Sequence, residues 1–136
     1  KTWIFFRLGE MYLNYAEAWN ERYGPDNTVY DAVNKLRNRA GMPDLPGGLS
    51  KEIMRERIRH ERRIELAFEG HRFWDVRRWK IAEKVMNGPA EGAVSPITGK
   101  PIVVEVRRFN PERDYLWPIP LLEMTSNPNM VQNPGW

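Results

Sequence analysis

SKEIMRERIRHERRIELAFEGHRFWDVRRWK, residues Ser50 to Lys80, is dense in charge yet patterned as helix. Ser50 is placed to cap the segment, its hydroxyl accepting an orphan backbone N–H of the first turn. At the helical period Ile53, Ile58, Ile64 and Phe68 fall within one broad face. Arg57, Glu61, Glu65 and Arg72 project into the same sector, while Arg55, Arg59, Arg62 and Arg63 fall on the other side. That outer side reads as a solvated face laced with i,i+3 and i,i+4 pairs, each worth about 0.2–0.5 kcal/mol. The inner side demands more. Glu61, Glu65 and Glu69 stand four residues apart and repel unless cations sit among them. A buried carboxylate is tolerated only when paired and hydrogen-bonded. The pattern therefore predicts Glu61 and Glu65 as acceptors for arginines: Arg37 or Arg39 from the preceding helix, and Arg72 from beyond Gly70. Arginine suits the role because it engages a carboxylate through two parallel bonds. Gly70 interrupts the helix. Phe73, Trp74, Val76 and Trp79 are too apolar for a free linker, so a second short helix packed on the first is expected. Asp75 lies within helical pairing reach of Arg72 and Arg78.

Upstream, residues 3–21 read as a helix whose one narrow polar stripe is Arg7, Glu10, Asn14, Glu17 and Glu21. A helix apolar over most of its circumference is covered on more than one side. Phe5-x-x-Leu8-Gly9-x-x-Tyr12 matches the opening of a tetratricopeptide repeat, where glycine lets the paired helix approach closely; an ordinary buried helix accounts for it about as well. Gly24, Pro25, Asp26 and Asn27 form a loop with turn chemistry, and Asp26 or Asn27 can cap the next helix. Val29, Val33, Leu36 and Ala40 keep a helical seam with Arg37 beside it. Gly41 closes that helix and Pro43 prevents its continuation. Two antiparallel helices make one repeat unit, which cannot bury its faces alone, so further helices upstream of Lys1 are expected.

Downstream, Ile81, Ala82, Val85 and Met86 extend the second helix of the charged stretch. Eight of the eleven prolines then lie from Pro89 onward. Pro96 to Lys100 reads as a turn and Ile102 to Phe109 as β-rich, which leaves room for one small hairpin. YLWPIP, Tyr115 to Pro120, is too proline-rich for a helix interior or a central strand. The tail NPNMVQNPGW, Asn127 to Trp136, is extended, and its apolar residues lay it onto a surface. The predicted fold is predominantly all-α and a single domain over residues 1–136. Tetratricopeptide-like helix pairs occupy 1–87, with helices near 3–21, 28–40, 50–69 and 71–87. A loop-rich, extended segment, 88–136, packs on them.

Composition removes several function classes. The 136 residues contain no cysteine, hence neither a disulfide nor a thiolate metal site. His60 and His71 lack ligand spacing, and no metal or cofactor is assigned. A net charge of +3 is only mildly basic. Arg55, Arg59, Arg62 and Arg63 as nucleic-acid contacts are countered by the interleaved Glu52, Glu56 and Glu69. No apolar run nears the ~20 residues of a membrane span, and no signal peptide is visible. No nucleophile elbow, phosphate loop or HExxH occurs. Glu61 and Glu65 as an acid–base pair are outweighed by the arginines around them, which favour ionised, structural carboxylates. No catalytic residue is assigned.

RLGEMYLNYAEAWNE, VNKLRNRAG, ERRIELAFEGHRFWDVRRW, YLWPIP and QNPGW occur in that order. With their spacing they resemble the C-terminal part of the SusD/RagB family, cell-surface nutrient-binding lipoproteins of Gram-negative bacteria, over nearly the whole chain. The resemblance implies a helical domain with tetratricopeptide-like units and irregular segments carrying the ligand surface. It implies non-catalytic binding of oligosaccharide, or in some members peptide. It also implies delivery to a TonB-dependent, SusC-like transporter in the outer membrane, with surface attachment through a lipid-bearing N-terminal cysteine that this sequence lacks. The motif positions include Arg37, Arg39, Glu61, Glu65, Arg72, Asp75 and Arg78, the charged lattice that the pattern makes structural. Sugar binding needs exposed aromatic faces beside polar groups. Trp3, Trp19, Trp74, Trp79, Trp117 and Trp136 qualify by type. The helical placement of Trp74 and Trp79 and the motif positions of Trp117 and Trp136 favour packing instead, so no ligand-binding residue is assigned. A tetratricopeptide-type interaction scaffold, with a concave groove lined by polar side chains of its first helices, is the alternative.

Overall fold

Asp26 caps the second helix of the computed structural model, which describes residues 5–136. Its Oδ1 accepts the backbone N–H groups of Thr28 at 2.9 Å and Val29 at 3.1 Å, and its Oδ2 accepts the Trp19 indole N–H at 2.8 Å. Of the two expected capping residues the chain uses Asp26. The chain forms two compact units, the first ending at Arg72 and the second beginning at Phe73. Six helices and one two-stranded antiparallel sheet are found among the described residues, a predominantly α fold.

The first unit holds α1 (Leu8–Tyr23), α2 (Asn27–Arg39) and α3 (Lys51–Glu65). α1 starts later than the apolar run suggests: Phe5 and Phe6 precede it and are exposed, and Trp3 lies outside the described residues. Its buried line is Gly9, Leu13, Ala16 and Asn20, with Glu10 beside it. Glu10, one of the polar stripe, is buried, while Leu8, Met11 and Tyr15 face outward. From α2 come Val29, Ala32, Val33 and Leu36. Leu45 in the following loop completes the layer, its N–H held by the Asn34 side chain at 2.9 Å. α3 contributes Met54 and Ile58. Ser50 caps α3 through the Ile53 N–H at 3.3 Å. The Asn20 side-chain amide donates to the Lys51 carbonyl at 3.1 Å and so fastens α1 to the start of α3.

The face of α3 departs from the expected one. Met54, Ile58 and Arg62 are buried, four residues apart, while Ile53 and Ile64 are at least half exposed. The inward stripe is one residue displaced from the isoleucine face, because the methionine rather than Ile53 fills the core. Arg57 lies outside it and is exposed. Arg62, expected on the solvated side, is 5% exposed and donates to Asn14 Oδ1 at 2.6 Å. The helix stops at Glu65 rather than at residue 69. Its periodicity no longer applies to Phe68, which is fully exposed with a left-handed φ of 64°. Gly70, at φ 81°, supplies the next left-handed position at no steric penalty.

α4 (His71–Arg78) follows. It ends where a continuous helix to residue 87 was expected. Lys80 adopts φ 52°, and the Ile81 N–H reaches back to the Val76 carbonyl at 3.0 Å, a left-handed helix stop. α5 (Ala82–Val85) follows. Val76, Ala82 and Phe109 form the core of the second unit, with Ile81, Met86 and Tyr115 against it. The Tyr115 hydroxyl accepts the Ala82 N–H at 3.1 Å and donates to Glu83. The small hairpin is present: β1 (Gly88–Val94) pairs with β2 (Pro101–Arg107), from Gly88↔Arg107 to Val94↔Pro101, with irregular register between. A short α6 (Leu121–Ser126) is an element the sequence reading lacks. Pro120 precedes its first residue, so the proline-rich run starts a helix it cannot enter.

The tail has a definite anchor. In Trp117-Pro118-Ile119-Pro120 the prolines carry no N–H, so Ile119 offers the only backbone donor after Trp117. Gln132 takes that N–H on Oε1 at 2.8 Å and returns Nε2 to the Ile119 carbonyl at 3.0 Å. Asn133 donates to the Trp117 carbonyl at 2.6 Å, and Trp136 to that of Leu116 at 3.2 Å. YLWPIP and QNPGW are thus two halves of one hydrogen-bonded unit.

Candidate functional site

Three arrangements gather chemistry. The first is the charge lattice. Arg37, on α2, pairs with Glu61 of α3, and each side chain is 14% exposed. Arg37 Nε also donates to the Pro43 carbonyl at 2.8 Å. Arg39 Nη2 binds both oxygens of Glu65, at 2.6 and 2.8 Å. A third arginine, Arg7 just before α1, binds Glu65 and spans both oxygens of Glu69, at 2.8 and 3.0 Å from Nε. Hydrogen bonding to Glu69 and Glu65 holds the Arg7 guanidinium well above its ordinary range, and Arg7 in turn holds the Glu69 carboxyl below its own. Gly9 makes room for this. A Cβ there would stand 2.6 Å from Arg7 Nη1 and 2.8 Å from Glu65 Oε1. Arg72 is half-buried in α4 and is also engaged. Asp75 is buried and accepts from Arg78 Nε at 2.9 Å. Arg7, Arg37 and Arg39 thus each engage a carboxylate of Glu61, Glu65 or Glu69.

The second is a groove of about 380 Å³ between α1 and α2. Leu8, Met11, Tyr12 and Tyr15 line one wall, and Thr28, Asp31, Ala32 and Lys35 the other. Each set is spaced i, i+3, i+4, i+7, one stripe per helix. Tyr15 donates to Thr28 Oγ1 at 3.0 Å, and Lys35 Nζ lies 5.0 Å from the centre of the Tyr12 ring. Sequence reasoning passes over these residues because a helix as apolar as α1 reads as covered on more than one side. The matching stripes are the available signal.

The third is an aromatic group in the second unit. Trp74 and Trp117 are 61% and 62% exposed, and each ring contacts Phe73, at centroid distances of 5.0 and 6.3 Å. The expectation that Trp74 packs in a core fails: Val76 takes the inward position of α4, and Trp74 lies two residues away, on another face. Arg77 lies 3.9 Å over Phe73 and 5.4 Å from Phe109. Trp19 and Trp79 are half-buried, and Trp136 lies 4.8 Å from the Arg113 guanidinium. Among the described residues no group of three acidic or histidine side chains could hold a metal ion, and no helix is long and apolar enough to cross a membrane.

A sequence model of the SusD family matches residues 1–136. The chain belongs to the SusD family. SusD-like protein P2 of Formosa agariphila is 34% identical over 143 residues, a match covering 99% of this chain and 26% of that protein. SusD-like protein P25 of the same organism is 35% identical over 134 residues, covering 96% of this chain and 23% of that protein. The fold agrees. The crystal structure of a SusD-like protein from Bacteroides fragilis superposes with a TM-score of 0.85 at 42% identity, over 98% of this chain and 26% of that one. A SusD homolog from Bacteroides thetaiotaomicron gives 0.74 at 32%, over 98% and 27%. The chain spans about a quarter of the length of the curated relatives it matches.

Proposed function

We propose that this SusD-family chain is part of a protein that binds oligosaccharide nutrients at the outer-membrane surface without turning them over. The bound glycan passes to a TonB-dependent, SusC-like transporter, and a lipid anchor holds the whole protein at the membrane. The observation that carries this reading is the family match across all 136 residues. The lattice of Arg37, Arg39, Glu61, Glu65, Arg72, Asp75 and Arg78 serves it structurally, as a register device for the helices, and no catalytic residue is assigned. Calorimetry of the full-length protein against a glycan panel, with product analysis, tests it. Saturable heats with intact glycans are expected. Cleavage products, or no binding to any glycan, would refute it.

A second reading is favoured by the α1–α2 groove. Paired i, i+3, i+4, i+7 walls with one acid and one base fit an amphipathic helix laid between them. On this reading the first unit is an interaction scaffold of tetratricopeptide type. Loss of a protein partner, with glycan binding intact, on Tyr15→Glu would support it over the first.

A further inference from the structure

Asn87-Gly88 is the one Asn-Gly dipeptide in the sequence. In such a pair the backbone nitrogen of the glycine reaches the preceding side-chain amide with no Cβ in the way. Here the pair sits at the base of the hairpin, Asn87 immediately before β1. Asn87 is exposed, yet its amide is held at both ends. Oδ1 accepts the Phe109 N–H at 2.6 Å, while Nδ2 donates to the Glu83 carbonyl at 2.9 Å and the Phe109 carbonyl at 3.4 Å. The side chain acts as an extra rung beyond Gly88↔Arg107 and joins α5 to the residues that follow β2. Gly88 has φ 98°, a conformation that residues with a side chain rarely adopt.

We propose that Asn87 is a site of spontaneous deamidation, gated by opening of the hairpin base. The Gly88 nitrogen attacks Asn87 Cγ and forms a new C–N bond. The Cγ–Nδ2 bond breaks, and Nδ2 leaves as ammonia carrying the Gly88 proton. Water then opens the cyclic imide at either carbonyl. One product is aspartate; the other is its isomer, with the main chain running through Cγ. The reaction consumes only water. In the closed fold the amide is directed at Glu83 and Phe109 rather than at its own Gly88, so attack waits on local opening. The product cannot close again as before. A carboxylate only accepts, so two carbonyls lose their donor and face a negative charge. The isomer also lengthens the main chain ahead of β1. Deamidation therefore turns a transient opening into a lasting one.

The test compares the intact chain in native buffer with the same chain in urea above its midpoint, at one mildly alkaline pH and temperature, by peptide mapping and an isoaspartate assay. Modification at residue 87 should lead all other asparagines in urea and run at least about tenfold slower in native buffer. Equal rates in the two conditions overturn the gate, and an unmodified residue 87 in urea overturns the site. Asn87→Asp, which is one of the products, should lower the thermal midpoint and speed amide exchange at Phe109. Wild-type values for both would overturn the lasting opening.

Discussion

Replacing Glu61 by alanine removes the acid paired with Arg37 at the α2–α3 contact. Both side chains are 14% exposed, so the pair is shielded from water but not sealed from it. Breaking a fully buried pair typically costs about 3–5 kcal/mol, because the remaining charge is left uncompensated. Two features lower that figure. The residual exposure lets water reach the guanidinium, and Arg37 keeps its bond to the Pro43 carbonyl. A loss of about 3 kcal/mol is therefore expected. With a urea slope near 1.5 kcal/mol/M this moves the midpoint down by about 2 M. The helical circular dichroism band reports it well, since the three long helices lie in the first unit. The double variant Arg37→Leu/Glu61→Leu should recover most of the loss, because two apolar residues strand no charge. A shift worth under about 1 kcal/mol at unchanged slope would place the pair with exposed bridges and refute the reasoning. So would a double variant as unstable as the two single losses added together.

Gly9→Ala should destabilise by about 1 kcal/mol, against the gain usual for such a change in a helix, because the new methyl meets Arg7 and Glu65. In an Arg7→Ala/Glu65→Ala background the same substitution should become stabilising, and thermal melts of the four proteins decide it. Acid should act through Glu21 and Glu69, whose carboxyls hydrogen bonds from Arg55 and Arg7 hold below the ordinary 4.5. Groups lowered by folding bind more protons when unfolded, so their contribution is complete above that value and is lost as pH falls through the lower, folded one. The melting temperature should therefore stay level from neutral pH down to about pH 5, then fall, and less steeply in Arg7→Met.

The elements closed by local chemistry are legible in the sequence: the Asp26 and Ser50 caps, the turn before β2, and the hairpin itself. Each is set by a few neighbouring residues. The errors share a different origin. The inward stripe of α3 is misread because four apolar residues suggest a face, whereas Met54 and the stem of Arg62 fill the core more fully. The premature end of α4 depends on a left-handed residue, Lys80, that no glycine announces, and α3 stops at its C-cap Leu66 with the left-handed Phe68 following in the turn. α1 exposes apolar residues that composition alone assigns to an interior. In the lattice, Arg37, Arg39, Glu61 and Glu65 are readable from their spacing. Arg7 is not, since its partners lie 58 and 62 residues away and no local pattern links them.

That separation bears on time as well as on energy. Arg7 meets Glu69 only after a loop of 62 residues has closed, and Arg37 meets Glu61 across 24. Contacts between distant segments are entropically late, so these ion pairs should form after each helix has formed. Interactions absent from the transition state slow unfolding and leave the folding rate nearly unchanged. The lattice is thus a clasp rather than a nucleus. It should lengthen the time the first unit stays shut once folded, the quantity that protects a chain when cleavage outpaces reclosing.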